Sequence, residues 1–230
     1  MNERLNARFA AAYVRGVSLR TVSPALDAAL LDTPIDALTQ KQLGALLDAG
    51  QAASLKLYRF KEQNELPRVH KALGFLKGIQ PTSLLDVGSG RGVFLFPFMQ
   101  AFPWVPVTSL DLLPHRVELL GDVAAGGMDS LTARLADLCT WDAPDNSFDV
   151  VTLLEVLEHI PDVESAIRNA ARMAGRYVVV TVPSKPDNNP EHIHLLTKPV
   201  LTDLFTRAGC TNLRFDAVPG HLFMTAQAPR

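Results

Sequence analysis

The chain has 230 residues, 22 Lys+Arg against 24 Asp+Glu, a formal net charge of −2 and 47% hydrophobic residues. That is enough apolar material for a real core, which excludes a disordered chain, and a pI near 6.3 argues against bulk nucleic-acid binding. No apolar run reaches the ~20 residues that cross a bilayer, MNERLNARFAAAYVRG lacks a signal-peptide core, and two cysteines (Cys139, Cys210) cannot build a disulfide framework or a cysteine zinc site. The expectation is a soluble cytoplasmic protein with reduced thiols.

Residues 1–80 read as helical, with Ala/Leu-rich stretches at helical spacing over 5–13, 24–31 and 41 to about 58. Thr39 is a plausible N-cap for the third, and Pro67 suits the first turn of a fourth helix reaching about Lys77. This part carries 11 Lys+Arg and 7 Asp+Glu (+4), whereas residues 81–230 carry 11 and 17 (−6). Lys56, Arg59, Lys61, Arg68 and Lys71 cluster around Tyr58 and Phe60, a texture that can track a nucleic-acid backbone. The plainer reading, a solvated basic face of an amphipathic helix, is preferred.

From Pro81 onward, strands and helices alternate. Short apolar strands are predicted over 83–87, 105–110, 131–136, 148–154 and 176–182, with helices over 93–101, 115–124 and 163–173 between them. Near-continuous apolar strands imply burial on both faces, hence an α/β, doubly wound and mostly parallel sheet. A last helix from Pro199 to about Arg207 precedes strands 213–218 and 221–228, whose Pro219-Gly220 turn predicts an antiparallel C-terminal hairpin.

Ligands bind outside the carboxyl ends of such strands, so the residues there carry the chemistry. The first strand runs into Asp86-Val87-Gly88-Ser89-Gly90-Arg91-Gly92, a glycine loop whose backbone can approach a ligand closely. A dinucleotide fingerprint would need glycine at position 93, which is Val93, and no phosphate-binding P-loop is present. The second strand ends at Asp111, 19 residues after Gly92, where a carboxylate can accept from both ribose hydroxyls. The third ends at Asp137-Leu138, placed for an adenine edge, and the fourth at Glu155-Val156-Leu157-Glu158-His159.

LLDVGSGRG, then Asp111, ADL and FDVVTLLEVLEHIPD resemble the ordered motifs of class I S-adenosylmethionine-dependent methyltransferases over residues 80–228, about two-thirds of the chain. The resemblance implies a seven-stranded sheet with an antiparallel last strand, S-adenosylmethionine as cofactor and S-adenosylhomocysteine as product. It implies Asp86, Gly88, Gly90 and Gly92 around the methionine part, Asp111 on the ribose, Asp137 and Leu138 at the adenine, Glu155 beside the cofactor near the substrate, and Leu112 among the cofactor-binding residues. Residues 1–80 become a helical cap or lid on a methyltransferase domain of residues 81–230.

His159 is the leading candidate base, with His192 the second, because imidazole titrates near neutrality and both follow strand ends. His70, His115 and His221 have no motif context. The expected acceptor is a small molecule with an oxygen or nitrogen nucleophile. The chain also resembles, loosely, the metal-dependent RNA 3′-terminal ribose 2′-O-methyltransferases, which would place a cation on Glu155, Glu158, His159 and His192. Leu195-Leu196 departs from the phenylalanine-tryptophan pair usual there, and Pro161 limits any helix through 155–160, so no metal is expected; without a cation the two carboxylates would repel unless Glu158 points away to cap the next helix. A non-catalytic module that only binds the cofactor is the third alternative.

Overall fold

The computed structural model describes residues 6–61 and 66–229. Seven strands form one sheet in the order β3-β2-β1-β4-β5-β7-β6. They are β1 (Leu84–Val87), β2 (Val107–Asp111), β3 (Leu131–Leu135), β4 (Phe148–Leu154), β5 (Ala174–Pro183), β6 (Thr211–Val218) and β7 (His221–Gln227). β1 to β5 pair in parallel, and β7 is antiparallel to both β5 and β6. The expected C-terminal hairpin is present, but its second strand inserts inside the first, so β6 forms the edge.

Alternation along the strands splits the interior in two. Leu84, Val107, Val150 and Val179 face one apolar cluster, whereas Leu85, Leu110, Val151 and Val180 face the other. Helices α7 (Val163–Met173) and α8 (Lys198–Arg207) cover the second cluster. The first is covered by α1 (Ala7–Thr21), α3 (Gln40–Ala52), α4 (Pro67–Ile79), α5 (Leu95–Ala101) and α6 (Pro114–Ala125), so the N-terminal helices share a core with the sheet. Phe96 carries much of this core: its ring stacks on Phe9 at 4.5 Å and on Phe60 at 5.5 Å. Truncating it to alanine costs about 3–5 kcal/mol on the usual scale for buried aromatics.

The N-terminal helices differ from the sequence reading in instructive ways. Leu5, where the first was expected to start, lies outside the described residues, and α1 runs on to Thr21 rather than ending at Tyr13. Gly16 looks like a helix breaker, yet a Cβ there would lie 1.8 Å from the Asp122 carbonyl oxygen of α6. Gly126 returns the contact, its Cβ position lying 1.8 Å from the Ala12 carbonyl oxygen. Arg20 closes this crossing with hydrogen bonds of 2.8 Å to each oxygen of Asp122.

Of the second predicted helix only α2 (Ala28–Asp32) forms. In α3, Thr39 caps as expected and completes a capping box with Gln42. That helix stops at Ala52, because Ser54 takes a positive φ and a 3-10 turn (Leu57–Phe60) then buries Leu57 and Phe60.

Candidate active site at the carboxyl ends of the strands

Two cavities meet at the carboxyl ends of β1, β2 and β4. The larger, about 900 Å³, is lined by Asp111, Leu112, Asp137, Leu138 and His159. The smaller, about 480 Å³, is lined by Tyr58, Arg59, Arg68, Asp86, Arg91 and His115 among others. Val87, Gly88, Gly90, Arg116 and Glu155 border both, so the two are halves of one groove.

Asp86, at the end of β1, is almost fully buried. Its Oδ1 accepts from the Thr152 hydroxyl at 2.6 Å, while Oδ2 has no partner among the described residues. Burial pushes its carboxyl up to about 6, against the opposing pull of its hydroxyl hydrogen bonds. The loop that follows uses its three glycines unequally, all at positive φ. A Cβ at Gly88 would lie 2.7 Å from Val156, and one at Gly92 would lie 2.5 Å from the Phe96 ring. At Gly90 the nearest atom is 3.9 Å away, so its bare face opens on the groove. Gly92 lines neither half, and its need for glycine comes from core packing.

Asp111 ties the loop down. Its Oδ2 accepts from Gly90 N–H at 3.3 Å and its Oδ1 from Leu113 N–H at 2.9 Å, leaving each oxygen a further lone pair. Asp137 turns the chain after β3 by accepting from Cys139 N–H at 2.8 Å. Asn169 of α7 fixes that turn through the carbonyls of Leu138 and Trp141, a role without any sequence motif.

Glu155 sits at the junction of the halves with φ +60. Its Oε1 accepts from the Thr181 hydroxyl at 2.8 Å, and its Oε2 lies 2.9 Å from His221 Nε2. His221 Nδ1 lies 3.0 Å from the Pro219 carbonyl oxygen, so both ring nitrogens face acceptors. Sequence reasoning assigned His221 nothing. It reaches Glu155 only because β7 pairs with β5, with His221 opposite Pro183.

Glu158 does not cap the next helix: Asp162 does, accepting from Ser165 N–H at 3.0 Å. Glu158 is wholly buried with neither carboxylate oxygen partnered among the described residues, and burial pushes its carboxyl up to about 8. Candidate ligand atoms of Glu158, His159 and His192 lie within 4.8 Å of one another, which the argument from Pro161 did not expect. His159 Nδ1 meets the Glu191 carbonyl oxygen at 3.0 Å, and His192 Nδ1 lies 2.8 Å from Asp187 Oδ2. Glu155 is not in this cluster, and His192 lines neither half of the groove.

The described part of the basic cluster is divided by the fold: Arg59 lies in the 3-10 turn, while Arg68 and Lys71 lie on α4, whose other face buries Val69, Ala72 and Leu76. Phe60 is in the core, Lys71 pairs with Asp216, and Arg59 and Arg68 turn toward the smaller cavity.

Residues 58–214 match the family described as a methyltransferase domain. The chain is 33% identical over 128 residues to the 27-O-demethylrifamycin SV methyltransferase of Amycolatopsis mediterranei, covering 51% of this chain and 47% of that relative. It is 33% identical over 96 residues to a ubiquinone biosynthesis O-methyltransferase of Pseudomonas fluorescens, covering 42% and 41%. The chain thus spans about half the length of the curated relatives it matches. In fold it is similar to an S-adenosylmethionine-dependent methyltransferase from Aquifex aeolicus (TM-score 0.57, 18% identity, 71% of this chain and 91% of that one). It is likewise similar to phosphoethanolamine N-methyltransferase 2 of Haemonchus contortus (TM-score 0.59, 15% identity, 70% and 53%). With the family match spanning well over half its length, the chain belongs to the methyltransferase domain family of the class I, S-adenosylmethionine-dependent type.

Proposed function

We propose that this protein methylates an oxygen or nitrogen of a small-molecule acceptor, with S-adenosylmethionine as donor. The observation that carries the reading is the single groove with Glu155 at its junction, one half edged by Asp111 and Asp137, the other open for an acceptor. The cofactor fits this chemistry. Asp86 Oδ2 is a buried acceptor without a donor, which an ammonium group would satisfy, and Gly90 leaves room for close approach. Asp111 would take the ribose hydroxyls, Leu112 would border them, and Asp137 with Leu138 would meet the adenine. The relatives named for rifamycin and ubiquinone chemistry support a small-molecule acceptor.

When bound, S-adenosylmethionine supplies a methyl carbon already activated by its sulfonium. The chain's own residues have only to hold the acceptor in line and take its proton. Glu155, fixed by Thr181 and His221, is the carboxylate beside that point. His159 keeps a candidate role as base because it borders the groove, and its contact with Glu191 leaves Nε2 as the ring acceptor. His192, 4.8 Å from His159 between ring centroids, is read as the residue that orients it. Tyr58, Arg59, Arg68 and Val69 form the mouth, so the lid role expected of residues 1–80 narrows to this segment. No described helix is long and apolar enough to cross a membrane, and both cysteines are free, which supports a cytoplasmic setting.

Calorimetry with S-adenosylhomocysteine tests the reading. Binding near the micromolar range, about −8 kcal/mol, is expected. Tight NAD binding without any response to S-adenosylhomocysteine would overturn it, and cofactor binding without turnover would leave only a binding module.

One observation favours a cation as a second reading: among the described residues both oxygens of Glu158 lack a partner beside His159, whose Nδ1 meets the Glu191 carbonyl oxygen, and His192, whose Nδ1 lies 2.8 Å from Asp187 Oδ2. Against it, Glu155 is engaged by Thr181 and His221, and of the three cluster residues only His159 lines the groove. We keep the metal-free reading. Elemental analysis finding about one metal per chain, with chelator-sensitive activity, would reverse it.

A further inference from the structure

The smaller half of the groove holds an excess of positive charge that methyl transfer alone does not require. Arg59, Arg68, Arg91 and Arg116 all line it, and all four are half-buried. They come from four separate segments: the 3-10 turn, α4, the glycine loop and α6. No carboxylate among the described residues pairs with any of them. Elsewhere Arg8, Arg20, Arg172, Arg176 and Arg207 each pair with an Asp or Glu, whereas Arg15, Arg134 and Arg168 meet a carbonyl, an indole ring and a hydroxyl. What sets the four apart is that they line one cavity together.

The acids of this cavity are already claimed. Glu155 is held by His221, and Asp86 is reserved for the cofactor's ammonium on the reading above. The cofactor's own carboxylate would answer one guanidinium. The rest share the lining of one cavity of about 480 Å³ and are half-buried, where like charges repel more strongly than in bulk water. An anion relieves that repulsion, and the planar guanidinium fork suits carboxylate and phosphate oxygens. A neutral acceptor would add no counter-charge to those that the described residues supply.

We infer that the acceptor is an acid, a small molecule whose carboxylate or phosphate group is gripped by the arginines of the smaller cavity. This rests on the methyl-transfer reading and goes on to name its substrate class. Charge placed there also focuses the field in the mouth and draws anions in.

The test uses the full chain saturated with S-adenosylhomocysteine and titrated with phenol, benzoate and phenyl phosphate. At least one of the two anions is expected to bind about tenfold or more tightly than phenol, and the tighter anion distinguishes carboxylate from phosphate. In Arg68→Gln and Arg91→Gln that preference is expected to shrink by about tenfold in at least one variant. Phenol binding as well as both anions, or an anion preference unchanged in both variants, would overturn the inference while S-adenosylhomocysteine still binds. Failure of S-adenosylhomocysteine to bind the unaltered protein would instead remove the methyl-transfer reading, and the acid acceptor with it.

Discussion

In the larger half of the groove the carboxylates are tied to backbone: Asp111 to Gly90 and Leu113, Asp137 to Cys139. In the smaller half, which on the proposed reading receives the cofactor's amino-acid end as well as the acceptor, Asp86 Oδ2 has no partner and four guanidiniums have no counter-ion among the described residues. One half is satisfied before any ligand arrives, whereas the other is left wanting both a cation and an anion. A rigid, finished half suits an invariant ligand part. An unfinished half draws its binding energy from groups that the ligand itself completes.

The sharpest test of that contrast is Asp111→Ala. It removes both the proposed ribose acceptor and the tether on the glycine loop, so S-adenosylhomocysteine affinity is expected to fall by about 1.5–3 kcal/mol in calorimetry. Unchanged affinity in a folded variant would make Asp111 a mere cap and erase the distinction between the halves.

Asp86 supplies the next largest effect, through pH. Its folded-state carboxyl titrates near 6, above its ordinary value, so the apo fold is favoured at low pH and loses that contribution as pH rises from about 4 to about 6. Binding an ammonium group needs the charged form and therefore runs the opposite way. Cofactor affinity is expected to drop about tenfold, roughly 1.4 kcal/mol, on going from pH 7 to pH 5. Asp86→Asn should bind weakly and show a flat profile over the same range.

Glu158 probes a buried acid outside the groove. Its raised value, about 8, means that the fold loses stability as pH climbs from about 4.5 to about 8, since the unfolded chain ionises first. Glu158→Gln is expected to add about 1 kcal/mol near pH 8 and to flatten the pH dependence of thermal unfolding. A loss of stability instead would indicate that the carboxylate is paired with a cation in solution. The smallest effect is expected of Tyr58→Ala. Tyr58 is 54% exposed at the mouth, so stability should move by less than about 0.5 kcal/mol and cofactor affinity not at all, while the acceptor KM rises severalfold.

The same contrast explains what could be read in the sequence. Asp86, Gly88, Gly90, Asp111 and Asp137 each stand within a few residues of a strand end, and a strand end is local information. Arg59, Arg68 and Arg116 meet only through tertiary packing, and His221 meets Glu155 only because β7 lies inside β6. Glu158 was misplaced for a related reason. Its spacing before α7 suited a cap, but Asp162 lies closer to that helix and takes the role. The helical third was legible as helical, yet not in extent, because Gly16 and the Leu57–Phe60 turn obey contacts with α6 and Phe96 rather than local propensity.

The double contact of Gly16 on Asp122 and Gly126 on Ala12 has a mechanical consequence. Two helices whose backbones touch at two points, pinned further by Arg20, do not slide past each other without a clash. α1 is therefore a strut of α6, and α6 carries Arg116 into the groove at its first turn. The N-terminal segment does not swing clear as one flap. Of the N-terminal third, Tyr58, Arg59, Arg68 and Val69 are the described residues that line the smaller cavity. A larger residue at either glycine would shift the far end of a stiff lever and change acceptor selection without touching the groove.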